Sequence, residues 1–389
     1  MLLDLSNEPR DYDWGSTELL AQLTGRTPSG RPEAEVWFGD HPGDPATIPD
    51  GRSLDAWIAD EGARFGVPDH LPYLLKLLAA ASPLSIQVHP SKAQAEVGFE
   101  REESAGIPRD AAERTYRDAN HKPELIVAVS ETFRALAGLR ELDATRRLVG
   151  RLGAGARELA ERLSAPDAAL DAVLEWVLSE DGRTAAPGLI AAASQGRSDE
   201  FAAELDLVRE LDSAYPGDPG VIVALLMNLV TIPRGVGLFV PAGVLHAYLS
   251  GLGVELMAAS DNVLRGGLTP KHIDVAELLA VLDPTPGPVA LLHADEIGEG
   301  LARYAVPVGD FTLLVARVTA GSPVSVPIDG VGIALATVGE VSLEGGLQTS
   351  VVLRPGAAVL VTPDEGALRI EGDGEVFIAL PGARPTVSR

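Results

Sequence analysis

Four short segments of this chain gather the residue types that bind metals and move protons. In Leu84-Ser-Ile-Gln-Val-His89 apolar and polar residues alternate strictly, the signature of a strand with one buried face. Residues two apart on a strand share a face. Ser85, Gln87 and His89 therefore point the same way, and Gln87 and His89 can reach one ion. A polar strand edge with a lone histidine is the blander account, and for this segment alone the better one. The second segment, Tyr116-Arg-Asp-Ala-Asn-His-Lys-Pro-Glu124, leads into the apolar run Leu125-Ile-Val-Ala-Val129. Pro123 has no N–H for a ladder and belongs at a strand start or an edge. Asn120, Lys122 and Glu124 alternate onto one face. A carboxylate beside a lysine suits a metal ligand next to a phosphate or proton-transfer group. A surface salt-bridge turn would use the same residue types, but five polar functional types packed before an apolar strand favour chemistry.

The third segment, Pro241-Ala-Gly-Val-Leu-His246-Ala-Tyr248, is a Pro/Gly turn that delivers a histidine. Taken alone it is as readily a satisfied core histidine as a ligand. The fourth is Ser260-Asp261-Asn-Val-Leu-Arg265-Gly-Gly-Leu-Thr-Pro-Lys271-His272. Its two glycines let backbone approach a ligand closely, and Arg265 and Lys271 supply the local positive charge that a phosphate requires. The alternative is a Gly-rich hairpin with solvated basic residues.

The elements that must carry these segments follow from pattern. Residues 1 to about 137 mix short strands and loops. From about 140 to 212 Ala, Leu, Arg and Glu dominate, and Leu170, Val173, Leu174, Val177 and Leu178 keep amphipathic helix spacing, as Leu205, Val208 and Leu211 do on a shorter scale. The run Val221–Val230 reads as one more buried helix. Strand signals return at Gly237–Val240 and Gly253–Met257. After the Pro-rich break at 283–288 the chain reads as short strands with Gly/Pro turns: Phe311–Val318, Gly332–Val338, Val351–Leu353, Ala358–Val361 and Val376–Leu380, a small antiparallel sandwich or barrel.

Composition narrows the chemistry. With 389 residues the chain holds two or three domains. It has no cysteine, so disulfides, thiolate catalysis and Cys-based zinc sites are excluded, and a metal must be held by His, carboxylate or amide oxygen. The 31 basic residues against 56 acidic ones leave a formal charge of −25, which disfavours nucleic acid and anionic membranes as partners. The apolar run 221–230 is far short of the roughly 20 residues that span a bilayer. The N-terminal residues lack the basic patch and apolar stretch of a signal peptide, so a cytoplasmic protein is expected, and a monomer.

Read together and in this order, Gln-x-His-Pro, Tyr-x-Asp-x-Asn-His-Lys-Pro-Glu, His-Ala-Tyr and Ser-Asp-Asn-x-x-Arg-x-Gly-Leu-Thr-Pro-Lys resemble the type I mannose-6-phosphate isomerases, with no departure at any motif position. The resemblance runs from about Trp14 to Lys271 and includes the helical insertion. It implies a mainly β fold with a helical insertion: a cupin-type β-barrel (jelly-roll) catalytic domain formed by 1–137 and 221–285, an α-helical domain at 138–220, and a second, cupin-like β domain at 286–389. It implies one Zn²⁺ per chain held by Gln87, His89, Glu124 and His246, an open catalytic type of site whose N/O donors also accept Co²⁺ or Mn²⁺.

The family reaction interconverts mannose 6-phosphate and fructose 6-phosphate through a cis-enediol. On that reading Arg265 joins the metal in stabilising enediolate charge, and Lys122 acts on the substrate oxygens. Ser85, Lys92 and Lys271 hold phosphate, while Tyr248 and Glu255 line the pocket. The proton-transfer base stays open among Asp261, His121, Lys122 and Glu255. Two other readings keep the fold: a non-catalytic cupin that binds a sugar or nucleotide sugar, and an Fe(II) dioxygenase, whose sites favour two His and one carboxylate.

Overall fold

The computed structural model describes residues 1–165 and 170–382. The molecule is mainly β. Two antiparallel sheets, of ten and nine strands, are accompanied by helices concentrated between Leu142 and Leu226. Among the described residues the strand pairings run as open paths and not as a closed ring.

Alternation explains how the ten-stranded sheet comes to hold polar groups inside. Tyr73–Ala80 is buried along its whole length. Its odd residues Tyr73, Leu75, Leu77 and Ala79 join a core shared with Leu313, Ile333 and Leu360 of the other sheet, while Leu78 and Ala80 face a second core with Ile126 and Tyr248. Lys76 belongs to that even-numbered face. The neighbouring strand Glu124–Ala128 splits in the same way: Leu125 and Val127 enter the shared core, and Ile126 and Ala128 the inner one. Glu124 therefore points inward beside Lys76. The longest strand of this sheet, His246–Ala258, lies between them. Its second half pairs with both, setting Glu255 opposite Lys76 on one side and opposite Ile126 on the other.

The first half of His246–Ala258 pairs instead with Ile86–Val88 and Thr132–Leu139. The change of partners occurs at Gly251, which has φ +124°. A Cβ there would meet Phe133 Cδ2 at 2.8 Å and Thr132 O at 2.9 Å. Only glycine takes that conformation without strain and tolerates so close an approach. His246 is thus placed beside Gln87, which in turn lies opposite Arg265 of the strand Leu264–Gly267.

The helical segment follows its apolar spacing: Leu170–Leu178 and Ala202–Ala214 are helices packed into one core with Val221–Leu226. The expected helix at 221–230 is shorter. It ends at Leu226, and Met227–Pro233 is a strand paired with Thr132–Leu139. Apolar runs of this length carry no period that separates helix from strand, and here tertiary pairing decides. Two short strands cross the expected boundaries. Leu2–Leu5 pairs with Ala358–Val361 in the nine-stranded sheet, and Leu291–Leu292 pairs with Gly237–Val240 in the ten-stranded one. The last seven residues of the expected C-terminal segment, 383–389, lie outside the described residues.

Candidate metal centre

His89, Glu124 and His246 converge in the interior, with one donor atom from each lying within 4.8 Å of the others. His89 Nε2 is 3.1 Å from Glu124 Oε1, and His246 Nε2 is 3.3 Å from Glu124 Oε2. Each imidazole is oriented from behind. His89 Nδ1 is 2.8 Å from the carbonyl oxygen of Asn262, and His246 Nδ1 is 3.0 Å from that of Val244. A carbonyl only accepts, so each Nδ1 carries the proton and donates it. In the neutral rings both Nε2 lone pairs then face the Glu124 carboxylate.

That arrangement is repulsive unless a cation sits in it. Burial first, then the Lys122 ammonium, pushes His89 down to about 4, so a proton on the His89 ring is not that cation at neutral pH. His89 Nε2 is buried without a hydrogen-bond partner. The Glu124 carboxyl lies well below the usual range: burial raises it, and the Lys122 ammonium, with Nζ 2.9 Å from Oε1, is the largest of the influences that lower it. Two imidazoles fixed by carbonyl acceptors around one buried carboxylate are a donor set for Zn²⁺ or a similar divalent ion, and the residues fit the group.

Around the three donors lies a second set of buried charges. Lys76 Nζ is 3.1 Å from Glu255 Oε2 and 3.9 Å from Glu35 Oε1, and 4.9 Å from the centre of the Trp37 ring, whose Nε1 donates to Glu35 at 2.7 Å. Burial would lower Lys76, but Glu255 and Glu35 hold it above the ordinary lysine value. Glu255 is raised by burial, against the pull of Lys76. The Tyr248 hydroxyl donates to Glu124 Oε2 at 3.2 Å and is raised by burial and by the two nearby carboxylates.

Glu35, Lys76, Glu124, His246, Tyr248 and Glu255 line an inner cavity of about 60 Å³, bordered also by Ser85, Gln87 and Lys122. The cavity shares Ser85, Gln87, Lys76 and Lys122 with an outer cleft of about 710 Å³, whose walls include Trp14, Trp37, Asp261, Arg265 and Lys271. Arg265 and Lys271 have no carboxylate within salt-bridge distance among the described residues. Both are lowered by burial and by other cations, Arg117 among them in each case. Asp261 is held by His41 Nε2 at 3.0 Å and kept below the usual carboxylate range, burial notwithstanding. A larger hollow of about 820 Å³ between the N-terminal segment and residues 355–357 contains no metal-type cluster, and its Arg26 is already paired with Glu33.

Of the residues singled out in the sequence, Gln87, His89, Glu124, His246, Ser85, Lys122, Tyr248, Glu255, Asp261, Arg265 and Lys271 meet at the donor cluster, the cavity or the cleft. His121 and Lys92 do not. His121 pairs with Asp310 at 2.9 Å. Lys92 begins the helix Lys92–Ser104, half exposed, with Nζ 3.1 Å from Asn120 Oδ1. Sequence reasoning missed Lys76, Glu35, Trp37 and Arg117. A lysine inside the apolar run Tyr73-Leu-Leu-Lys-Leu-Leu-Ala-Ala80 was the available signal for the first.

Comparison with known proteins agrees with this geometry. The phosphomannose isomerase type I catalytic domain family matches residues 2–142. The chain is 35% identical over 390 residues to the mannose-6-phosphate isomerase of Salmonella typhimurium, covering 96% of this chain and 97% of that protein. It is 32% identical over 358 residues to the Homo sapiens enzyme, with 81% of each covered. A crystal structure of the Salmonella typhimurium enzyme, bound to its substrate fructose 6-phosphate and to zinc, superposes with a TM-score of 0.89 at 33% identity, covering 98% of this chain and 99% of that one. This chain belongs to the type I phosphomannose isomerase family.

Proposed function

We propose that this protein is a zinc-dependent aldose–ketose isomerase interconverting D-mannose 6-phosphate and D-fructose 6-phosphate. The carrying observation is the buried His89–Glu124–His246 cluster, with its partnerless Nε2, opening onto a cleft that holds two unpaired cations. We assign Gln87 as the fourth ligand, because its Cα register neighbour is His246. The catalytic unit comprises 1–137 and 221–285, with 138–220 as a helical insertion and 286–389 as a second β unit, both β units being of the cupin jelly-roll type. No described helix is long and apolar enough to cross a membrane; a cytoplasmic setting and a monomeric state are part of the proposed reading.

When bound, zinc supplies Lewis-acid stabilisation of charge developing on substrate oxygen. Arg265 and Lys271 neutralise the phosphate and the enediolate at the cleft, with Ser85 as a neutral donor. Lys122 holds Glu124 ionised and presents its ammonium to the substrate oxygens. Asp261, ionised by its histidine partner, and Glu255, more readily protonated in its buried setting, are the two carboxylates positioned for proton transfer between C1 and C2. The sugar-binding alternative fits less well, because a non-catalytic pocket has no need of buried acid–base groups beside the metal donors. The dioxygenase alternative offers no role for Arg265 and Lys271.

The test is conversion of mannose 6-phosphate to fructose 6-phosphate before chelation, after it, and with Zn²⁺ restored. Activity lost and regained is expected. Stoichiometric zinc binding without isomerisation would overturn the reaction assignment, and activity that survives documented removal of metal would overturn the metal assignment.

A further inference from the structure

Three distant stretches of the centre share one contact point: the strand ending near His89, the segment 116–124 and the segment 259–265. They meet at Asn262, which is completely buried. Its carbonyl oxygen accepts the His89 Nδ1 proton at 2.8 Å. Its side-chain oxygen accepts the backbone N–H of Arg117 at 2.7 Å and of Asp118 at 3.2 Å. Its amide nitrogen donates to the carbonyls of Asp118 at 2.7 Å and Asn120 at 2.8 Å, and to Asp118 Oδ1 at 3.3 Å. Asp118 reciprocates from the other loop, accepting Ser260 Oγ at 2.9 Å on Oδ1 and the Asp261 N–H at 2.7 Å on Oδ2.

We infer that Asn262 is a positioning residue for the metal centre, fixing His89 through its main chain and the loop that carries Lys122 and Glu124 through its side chain. The inference rests on the zinc-dependent reading above. The physical reasoning is that a buried amide with all its hydrogen-bonding capacity used has one low-energy orientation. The peptide carbonyl on the same residue inherits that orientation. His89 takes its ring angle from this carbonyl, so the donor cluster is held from a residue that touches neither metal nor substrate. Because Asp261 directly precedes Asn262 and Arg265 follows it in the strand Leu264–Gly267, the cleft wall and the metal donors are set by one hub.

Asn262→Asp keeps the shape and the acceptor oxygen but removes the N–H donors and sets a second carboxylate against Asp118. The double variant Asn262→Asp/Asp118→Asn removes that clash and restores an amide donor between the two positions. Zinc affinity of the full chain is measured by competition with a chromophoric chelator, together with kcat, KM and the thermal midpoint. The expected result is zinc binding weakened about 10–100-fold in the single variant, with kcat falling more than KM rises at saturating zinc and partial recovery of both in the double variant. A folded single variant with parental zinc affinity and kcat would overturn the inference. If the single variant does not fold, Asn262→Ser decides: a folded Asn262→Ser variant with parental zinc affinity and kcat would overturn it. The zinc titration reads the hub even if the parent fails to isomerise mannose 6-phosphate, so failure of the proposed reaction and failure of this inference are distinguishable.

Discussion

Replacing Lys76 by methionine removes a buried ammonium while nearly preserving side-chain volume. In the parent that ammonium lies 3.1 Å from Glu255 and 3.9 Å from Glu35, and its side chain is 8% exposed. Removing one partner from a buried ion pair leaves uncompensated charge and costs about 3–5 kcal/mol. For 389 residues unfolding as one unit, about 4 kcal/mol corresponds to roughly 5 °C in the thermal midpoint. The loss is expected to depend on pH in a definite direction. Burial already raises the Glu255 carboxyl above its ordinary value, and Lys76 is the strongest influence holding it down. Without the lysine it rises further. A carboxyl raised in the folded state contributes stability below its unfolded value and loses it as pH climbs through the folded value. The deficit of Lys76→Met relative to the parent should therefore be largest near about pH 8 and shrink toward about pH 5. Thermal unfolding of both proteins, followed by circular dichroism with chelator present to remove metal linkage, reads this directly. A deficit below about 1 kcal/mol, or one equal at both pH values, would refute the assignment of Lys76 as the counter-ion of two buried carboxylates.

Arg265→Ala should lower kcat/KM about 10–150-fold, the equivalent of one charge-assisted hydrogen bond of about 1.5–3 kcal/mol, while the midpoint stays level because Arg265 has no salt-bridge partner among the described residues; steady-state kinetics and a melt on one preparation check both halves. Lys271→Ala should act mainly on KM for the phosphosugar, and an unchanged KM would remove it from the phosphate site. His121→Asn and Lys92→Ala should each leave kcat/KM within about twofold, since neither side chain reaches the cleft, and a larger loss in turnover assays would restore them to the site.

The donor cluster was legible because strand alternation is a strong local rule. Gln87 lies in the strand Ile86–Val88 with His89 just beyond it, and Glu124 opens the strand Glu124–Ala128 with Lys122 just before it. The extended spacing carries past the strand ends far enough to keep Lys122 in contact with Glu124 and to bring His89 to the same carboxylate. His121, three residues before the strand begins, lies outside that rule's reach and pairs with Asp310. What alternation could not show was which strands adjoin. Lys76 and Glu255 are cross-strand neighbours 179 positions apart, and no local pattern in either strand names the other. The helix Lys92–Ser104 was also missed. Its apolar residues do not line up on one face, although Ser91 and Gln94 form a capping box at its start, a signature visible in the sequence. Met227–Pro233 misled for the opposite reason, since its apolar residues continue those of the helix before it without a break.

The pairing of Leu2–Leu5 with Ala358–Val361 has a consequence for the order of events during synthesis. The strand Leu2–Leu5 leaves the ribosome roughly 350 residues before its partner, and at about 5–20 residues per second that is a wait of roughly 20–70 s. Throughout that interval a strand with three leucines has no edge to join, while the ten-stranded sheet, the helices and the metal donors have all been synthesised and are free to fold. Pairing of these two strands, a contact of very large sequence separation, is therefore a late step of assembly, open to the chain only after every segment that carries the metal donors has been made.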